Sequence, residues 1–242
     1  MKKLLLFLLL PLPIFAQKNY FQQRVDYEIK VRLDDQSHML RGEVSFDYYN
    51  HSQDTLRILM IHLWPNAYNS NQTEFSKQFT ENGNKDFYFS KKEEKGFIDS
   101  LTFIQNSKPC SFKYYGNISD IAVVQLNEPI APNSKTKIKT PFRVKIPESV
   151  SRLGHKGQSY QITQWYPKPA VYDSEGWHAM PYLDQGEFYS EFGNFNVYIS
   201  LPSNYLVAST GTLNTEKEML WLHQKYLSTK DVDFNALSQK KE

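Results

Sequence analysis

Apolar and polar residues alternate in the segments that begin at residue 25. In residues 25–33 every odd position is apolar and every even position is charged, and residues 40–48 largely repeat this pattern. A period of two is typical of strands that bury one face and expose the other. Residues 55–64 are apolar at seven of ten positions, including four in succession, which indicates a strand covered on both faces. With turns at residues 34–37 and 50–54, these segments predict a three-stranded antiparallel meander.

The β pattern continues through most of the chain. Further strands are predicted at residues 96–104, 110–115, 121–126, 135–146, 195–201 and 205–210. Pro141 interrupts one of these segments, which suits an edge strand or a bulge because proline cannot donate a backbone hydrogen bond. About ten strands with no sustained helix between them predict an all-β fold, either a sandwich or a large curved antiparallel sheet.

Helical periodicity is confined to two places. From Thr215, with Glu218 as the partner in a capping box, Met219, Leu222 and Tyr226 share one face and predict a C-terminal helix of three to four turns. A short helix is also expected at residues 73–80.

An aromatic segment, residues 160–184, stands apart from these patterns. It contains two of the four tryptophans and three prolines, and it has neither a strand period nor a helix period. Long ordered loops on a rigid scaffold often carry binding groups. Two interpretations are open: a recognition loop, or a lid of aromatic side chains over the edge of the β core.

Residues 1–16 have the three-part pattern of a secretory signal peptide. Lys2 and Lys3 are followed by an apolar run at residues 4–10, and a small residue, Ala16, ends the segment. The apolar run is too short to span a bilayer, which requires about 20 residues. We therefore expect an exported protein, periplasmic or extracellular, with no membrane span after cleavage.

The charge balance argues against a nucleic-acid partner. Without Lys2 and Lys3 the 28 basic residues fall to 26, which equals the number of acidic residues. A neutral mature chain has no basic excess with which to bind phosphates. Cys110, the single cysteine, cannot form an intramolecular disulfide and is expected to be a small buried side chain.

The sequence contains no complete catalytic motif. No two of the six histidines lie within ten residues of each other, so His-Glu-x-x-His is absent. His62 lies in an apolar strand and is expected to be a hydrogen-bonded core or edge residue. A group of acids in and after the aromatic segment could bind or cleave sugars, although most are expected to cap turns: Asp173, Glu175, Asp184, Glu187 and Glu191.

Residues 27–34 and 40–52 form a pair of predicted strands in which a glycine precedes the second strand and an asparagine closes it, and residues 63–68 follow them. The aromatic segment contains Thr163-Gln-Trp-Tyr-Pro-Lys-Pro and, further on, Met180-Pro-Tyr-Leu-Asp. Together with residues 192–202 and 208–211, these segments resemble the N-terminal domain of the aminopeptidase N family of zinc metallopeptidases, in the exported form found in Bacteroidetes-like bacteria. The resemblance covers nearly all of the chain after residue 16, and the two motifs of the aromatic segment are its most specific part.

The resemblance implies a saddle-shaped β domain at residues 17–213 and the helical start of a catalytic domain at residues 214–242. The family's Gly-x-Met-Glu-Asn and zinc-binding motifs do not occur in these 242 residues. We therefore expect a fragment that binds no zinc and is inactive alone, with zinc, peptide substrate and the catalytic domain as partners in the intact enzyme.

Three residues are implied as a wall of the substrate cleft: Gln164, Trp165 and Tyr166. Many relatives have Gln or Glu where this chain has Tyr166, and that residue helps to bind the α-amino group of the substrate. A phenol carries no charge at neutral pH, which leaves that role to Gln164 or to the catalytic domain. The alternative hypothesis is a stand-alone secreted β module that binds carbohydrate or protein through the aromatic segment.

Overall fold

The computed structural model describes residues 20–148 and 150–229. The predicted signal peptide, residues 1–16, lies outside this part of the chain. The described residues separate into two compact units, one that ends at Pro202 and one that begins at Ser203. The predicted boundary between residues 213 and 214 stays a prediction.

The described residues form an all-β fold with one longer C-terminal helix. Fifteen strands occur within them, eight of which have only two or three residues. The strands are β1 (Arg24–Asp34), β2 (Met39–Asn50), β3 (Leu56–His62), β4 (Phe97–Asp99), β5 (Ile104–Gln105), β6 (Lys108–Pro109), β7 (Phe112–Tyr115), β8 (Ile118–Ile130), β9 (Ser134–Lys145), β10 (Gly154–Lys156), β11 (Ser159–Gln161), β12 (Lys168–Pro169), β13 (Val171–Asp173), β14 (Gly176–His178) and β15 (Phe195–Ser200).

Two sheets face each other and enclose the main core. The first has the order β15-β1-β2-β9-β5-β6, with β4 also on β9, and the second has the order β12-β3-β8-β7. The alternation predicted for β1 is confirmed, because Val25, Tyr27 and Ile29 are buried and the charged residues between them are partly or fully exposed. Their side chains join Leu59 and Val124 of the second sheet in one cluster, as in a sandwich.

The predicted meander is wrong, although its three strands exist. β1 pairs with β2, but β2 then pairs with β9, and β3 belongs to the second sheet beside β8. Both faces of β3 are covered, as its apolar pattern predicted, but such a pattern specifies burial and not the neighbouring strand. Leu59 and Ile61 lie in the main core, whereas Met60 packs with Ile121 and Ala170 on the other face.

Asn50 stabilises the turn at which the chain passes from the first sheet to the second. It closes β2, is fully buried, and donates from Nδ2 to the carbonyl oxygens of Asp54, Ile130 and Ala131 at 2.7, 3.1 and 3.1 Å. Its Oδ1 accepts from the Ser52 hydroxyl at 2.6 Å. The amide thus satisfies backbone groups that the turn would otherwise bury without partners.

The expected break at Pro141 is also wrong. β9 continues through Pro141, which lies opposite Glu43 of β2. On its other side β9 pairs with β4 through residues 143–145 and with β5 through residues 138–139. Pro141 lies in the gap between these two short strands, where no ladder hydrogen bond from it is required.

A second, mainly aromatic cluster lies beside the sandwich. It is built on a 3-10 helix (Trp64–Tyr68), α1 (Glu74–Glu81) and the single turn α2 (Asp86–Phe89). α1 confirms the expected short helix, and Thr73 caps it by accepting from the backbone N–H of Ser76 at 3.2 Å. Tyr182 of the aromatic segment completes the cluster, so that segment is packed against the domain.

In the second unit, α3 (Glu216–Thr229) confirms the predicted C-terminal helix. The strand expected at residues 205–210 is absent, because these residues have no regular secondary structure and no ladder partner within the part of the chain described. None of the described helices is both long enough and apolar enough to cross a membrane.

Candidate functional site

Short strands divide the aromatic segment. β12 pairs with β3, which places Lys168 opposite His62 at the edge of the second sheet, and β13 pairs with β14 as a small hairpin. Prolines restrict the backbone on either side of Lys168. The segment is therefore held on the rigid sheet at the point where Lys168 lies.

Lys168 is the centre of a polar group of side chains. Its ammonium lies 2.6 Å from Gln164 Oε1 and 2.9 Å from Ser190 Oγ, and it stands 4.0 Å from the centroid of the Trp64 ring. The residue is only 6% exposed. Burial disfavours the charged form and lowers the pKa of Lys168 to about 7, while the indole face partly compensates for the lost hydration.

Trp64 connects this lysine to the buried His62. The imidazole of His62 stacks on the Trp64 ring with 4.3 Å between centroids, and the indole Nε1 donates to the Met180 carbonyl at 3.1 Å. The expectation that His62 is hydrogen-bonded is wrong, since neither ring nitrogen has a partner among the described residues. Burial, with a smaller effect of Lys168, lowers the pKa of His62 to about 3, so the ring is neutral at physiological pH.

Gln164 adopts an unusual backbone conformation. Its φ of 53° lies in the left-handed region, which a residue with a side chain adopts at some cost in free energy. The side chain is half-buried and accepts a hydrogen bond from Lys168. This predicted site residue therefore lies beside the lysine cluster, defined here as Gln164, Lys168, Ser190 and Trp64.

Trp165 and Tyr166 point into the packing of the sandwich. The centroid of the Trp165 ring lies 5.8 Å from that of Phe142 and 5.3 Å from that of Tyr166. The centroids of the Tyr166 and Tyr27 rings are 5.6 Å apart. Burial raises the pKa of Tyr166 to about 12, so the phenol is neutral over the physiological range. Both rings pack against the main core as partly buried side chains. Their role in substrate binding stays a prediction.

The five acids of this region do not form a common site. Asp173 accepts from the backbone N–H of Glu175 at 2.8 Å, as expected for a turn, and Asp184 accepts from the Ser151 hydroxyl at 2.7 Å. Glu191 is buried, and burial raises its pKa to about 7. Across residues 20–148 and 150–229 no three His, Cys, Asp or Glu side chains converge, so these side chains do not fit a zinc centre.

Most members of the lysine cluster were not predicted as site residues. Lys168 lies between two prolines, a sequence that is typical of a polar position in a loop. Ser190 and Trp64 are distant from it in the sequence. The one available signal was a single lysine within a strongly aromatic run.

Neither a protein-family model nor a curated protein matches the chain, whereas solved structures do. The M1 zinc metallopeptidase from Deinococcus radiodurans gives a TM-score of 0.38 at 12% identity, over 82% of this chain and 37% of that chain. For a mutant of that enzyme with a bound Tyr-Ser-Ala substrate, the TM-score is 0.37 and the identity 11%, over 84% of this chain and 39% of that chain. For native yeast LTA4 hydrolase the TM-score is 0.29 and the identity 10%, over 55% of this chain and 17% of that chain.

The chain thus spans less than two fifths of the length of each of these enzymes. At TM-scores below 0.5 the similarity does not establish a shared fold.

Proposed function

We propose that this chain is the exported N-terminal β domain of a zinc metallopeptidase that resembles aminopeptidase N. The intact enzyme would hydrolyse peptide bonds near the N-terminus of its substrate with zinc-activated water. The zinc ligands and the catalytic glutamate would come from a domain outside these 242 residues. Export is proposed from the signal-peptide pattern of residues 1–16.

One observation carries the proposal. The most specific part of the sequence resemblance includes residues 163–169, which contain Gln164 and Lys168 of the lysine cluster at the edge of the second sheet. A rigid scaffold that holds a strained, half-exposed polar residue is typical of a binding site. The same segment thus has both the resemblance and the geometry of a functional site.

Within this proposal Gln164, Trp165 and Tyr166 form one wall of the substrate cleft. Trp165 and Tyr166 contribute shape, because their rings are anchored in the packing around Phe142 and Tyr27. Tyr166 replaces a residue that in many relatives helps to bind the substrate amine, and its neutral phenol supplies no charge for that purpose. The substrate amine would then depend on the catalytic domain.

Metal analysis and a hydrolysis assay of the purified chain test the division of labour. The chain alone should contain far less than one zinc per molecule and should release no product from aminoacyl anilides. Stoichiometric zinc together with turnover would contradict the proposal, because it would place a complete active site within these residues.

A stand-alone module that binds sugars would use exposed aromatic faces. The contacts of Trp165 with Phe142 and Tyr166 leave less of its ring for stacking on a ligand. Binding of the chain to a glycan, lost on Trp165→Ala while the fold is retained, would favour such a module over the peptidase domain.

A further inference from the structure

Lys168 is a buried cation without an anionic partner. Two neutral oxygens, Gln164 Oε1 and Ser190 Oγ, accept its hydrogen bonds. No carboxylate among the described residues forms an ion pair with it. The adjacent His62 is neutral and also lacks a partner. Buried charges in proteins are usually paired, so the counter-charge of Lys168 is missing from this part of the chain.

The contact with Lys168 fixes the orientation of the Gln164 amide. An ammonium can donate hydrogen bonds but cannot accept them, so the oxygen of the amide faces it. The NH₂ group in the same place could not form a hydrogen bond with the ammonium, because both groups are donors. The two N–H donors of Nε2 are then directed away from Lys168. Within residues 20–148 and 150–229, the bond from Lys168 is the one hydrogen bond that the Gln164 side chain makes, and it involves the oxygen and not Nε2.

Ser190 is oriented in the same way. Its oxygen accepts from Lys168, which leaves the hydroxyl proton for another acceptor. Ser190 is exposed and Gln164 is half-exposed, so both sets of donors can be reached from solvent. The cluster thus combines a desolvated positive charge with two neighbouring groups whose remaining hydrogen-bonding capacity is donation.

We propose that Gln164, Ser190 and Lys168 bind a carboxylate group of a peptide ligand, with Lys168 acting as a positioning residue that orients the other two. A carboxylate can accept from Gln164 Nε2 and from the Ser190 hydroxyl while it neutralises the field of the lysine. This inference rests on the proposed function for the statement that the ligand is a peptide.

The same arrangement rejects a free amino group. A peptide ammonium that approached Gln164 Oε1 would share this oxygen with Lys168, and two positive charges a few ångströms apart in a partly desolvated place repel each other strongly. The wall near Gln164 therefore selects peptides with an acidic residue and does not hold the amino terminus.

Calorimetric titration of the full chain with three tripeptides, two of which are acetylated at the N-terminus, tests whether the site prefers a carboxylate. The probes are N-acetyl-Gly-Glu-Gly-amide, N-acetyl-Gly-Gln-Gly-amide and Gly-Gln-Gly-amide with a free amine. At about pH 6 the glutamate peptide should bind about tenfold more tightly than either of the others, as one charge-assisted interaction allows. The preference should decline as pH rises above about 7, because Lys168 then loses its charge.

Gln164→Glu is the sharpest variant. It supplies an internal carboxylate to Lys168 with little change in shape, so the preference for the glutamate peptide should disappear without loss of the fold. Gln161→Glu, the same change at an exposed position of β11, is the matched control and should keep the preference. Ser190→Ala, at an exposed position, should weaken binding of the glutamate peptide severalfold.

Equal binding of the three peptides, or no binding of any, would overturn the inference. Neither result would touch the proposed function, which the metal and hydrolysis measurements test separately. If propionate alone shows the same pH-dependent binding and the same loss in Gln164→Glu, the carboxylate site stands even where the peptidase proposal fails. Retention of the glutamate preference in Gln164→Glu would also contradict the inferred carboxylate site.

Discussion

The ammonium nitrogen of Lys168 lies 2.6 Å from Oε1 of Gln164. This contact joins β12, at the edge of the second sheet, to a non-glycine residue of the same segment that has a left-handed backbone. It makes the lysine both a buried charge and the group that sets the direction of the Gln164 amide. The cost of burying that charge should be visible in the stability of the domain.

Lys168 should make stability depend on pH. Its pKa is about 7 in the folded chain and near 10.5 when unfolded, so between these values the unfolded chain binds more protons and rising pH favours the fold. The free energy of unfolding should therefore rise across this window by roughly 5 kcal/mol at most from this group. Urea denaturation of the wild type and Lys168→Met across the window measures the difference.

Lys168→Met should be more stable than the wild type at about pH 6 and should approach it at about pH 10. Lys113→Met, at an exposed position of β7 on the opposite edge of the same sheet, is the control and should follow the wild-type curve. Parallel curves for Lys168→Met and the wild type would contradict the lowered pKa.

Asn50→Ala should destabilise the domain strongly. The substitution leaves the carbonyl oxygens of Asp54, Ile130 and Ala131 without the amide donor, and one unsatisfied buried group alone costs about 1–3 kcal/mol. We expect a loss of roughly 3 kcal/mol in urea denaturation. Asn117→Ala, at an exposed position, should change stability by less than about 0.5 kcal/mol. A similar small effect for both variants would show that the amide does not hold the crossing.

Tyr166 should act through its ring and not through its hydroxyl. The hydroxyl has no hydrogen-bond partner among the described residues, whereas the ring contacts Tyr27, Trp165 and Phe195. Tyr166→Phe should therefore stay within about 0.5 kcal/mol of the wild type. Tyr166→Ala should lose roughly 2 kcal/mol because the side chain is partly buried. Thermal unfolding of both variants measures this, and a large loss in Tyr166→Phe would point to a bond that the structure lacks.

Gly193→Ala should disrupt the attachment of β15. A Cβ atom at this position would overlap the carbonyl oxygen of Val25, and backbone on both sides is tied down by the bonds from Val25 N to Phe192 O and from Tyr27 N to Asn194 O. We expect a loss of about 3 kcal/mol or more. Asn196→Ala on exposed β15 is the control and should be nearly neutral. An unchanged melting temperature for Gly193→Ala would refute the close approach.

The strands of the fold were predictable where one rule dominated. β1 and β2 alternate because each buries one face in the sandwich, and β3 is apolar because Met60 and Ile61 are buried on opposite faces. The neighbour of β3 was not predictable, since apolar periodicity specifies burial and not the pairing partner. Pro141 misled for a related reason: the gap between β4 and β5 that accommodates it depends on pairing elsewhere.

The candidate site was predictable only in part. Gln164 could be named from the resemblance of residues 163–169, but the properties of Lys168 could not. Its lowered pKa depends on burial beside Trp64, which comes from a different part of the chain. Long-range packing of this kind leaves no periodic signal near Lys168.

Reading the messenger RNA beyond codon 242 tests most directly whether this β domain belongs to a zinc metallopeptidase. We predict a continuous open frame that encodes Gly-x-Met-Glu-Asn and then His-Glu-x-x-His followed by a more distant glutamate. A stop codon directly after Glu242, in a transcript that yields a stably folded protein, would contradict the proposed function.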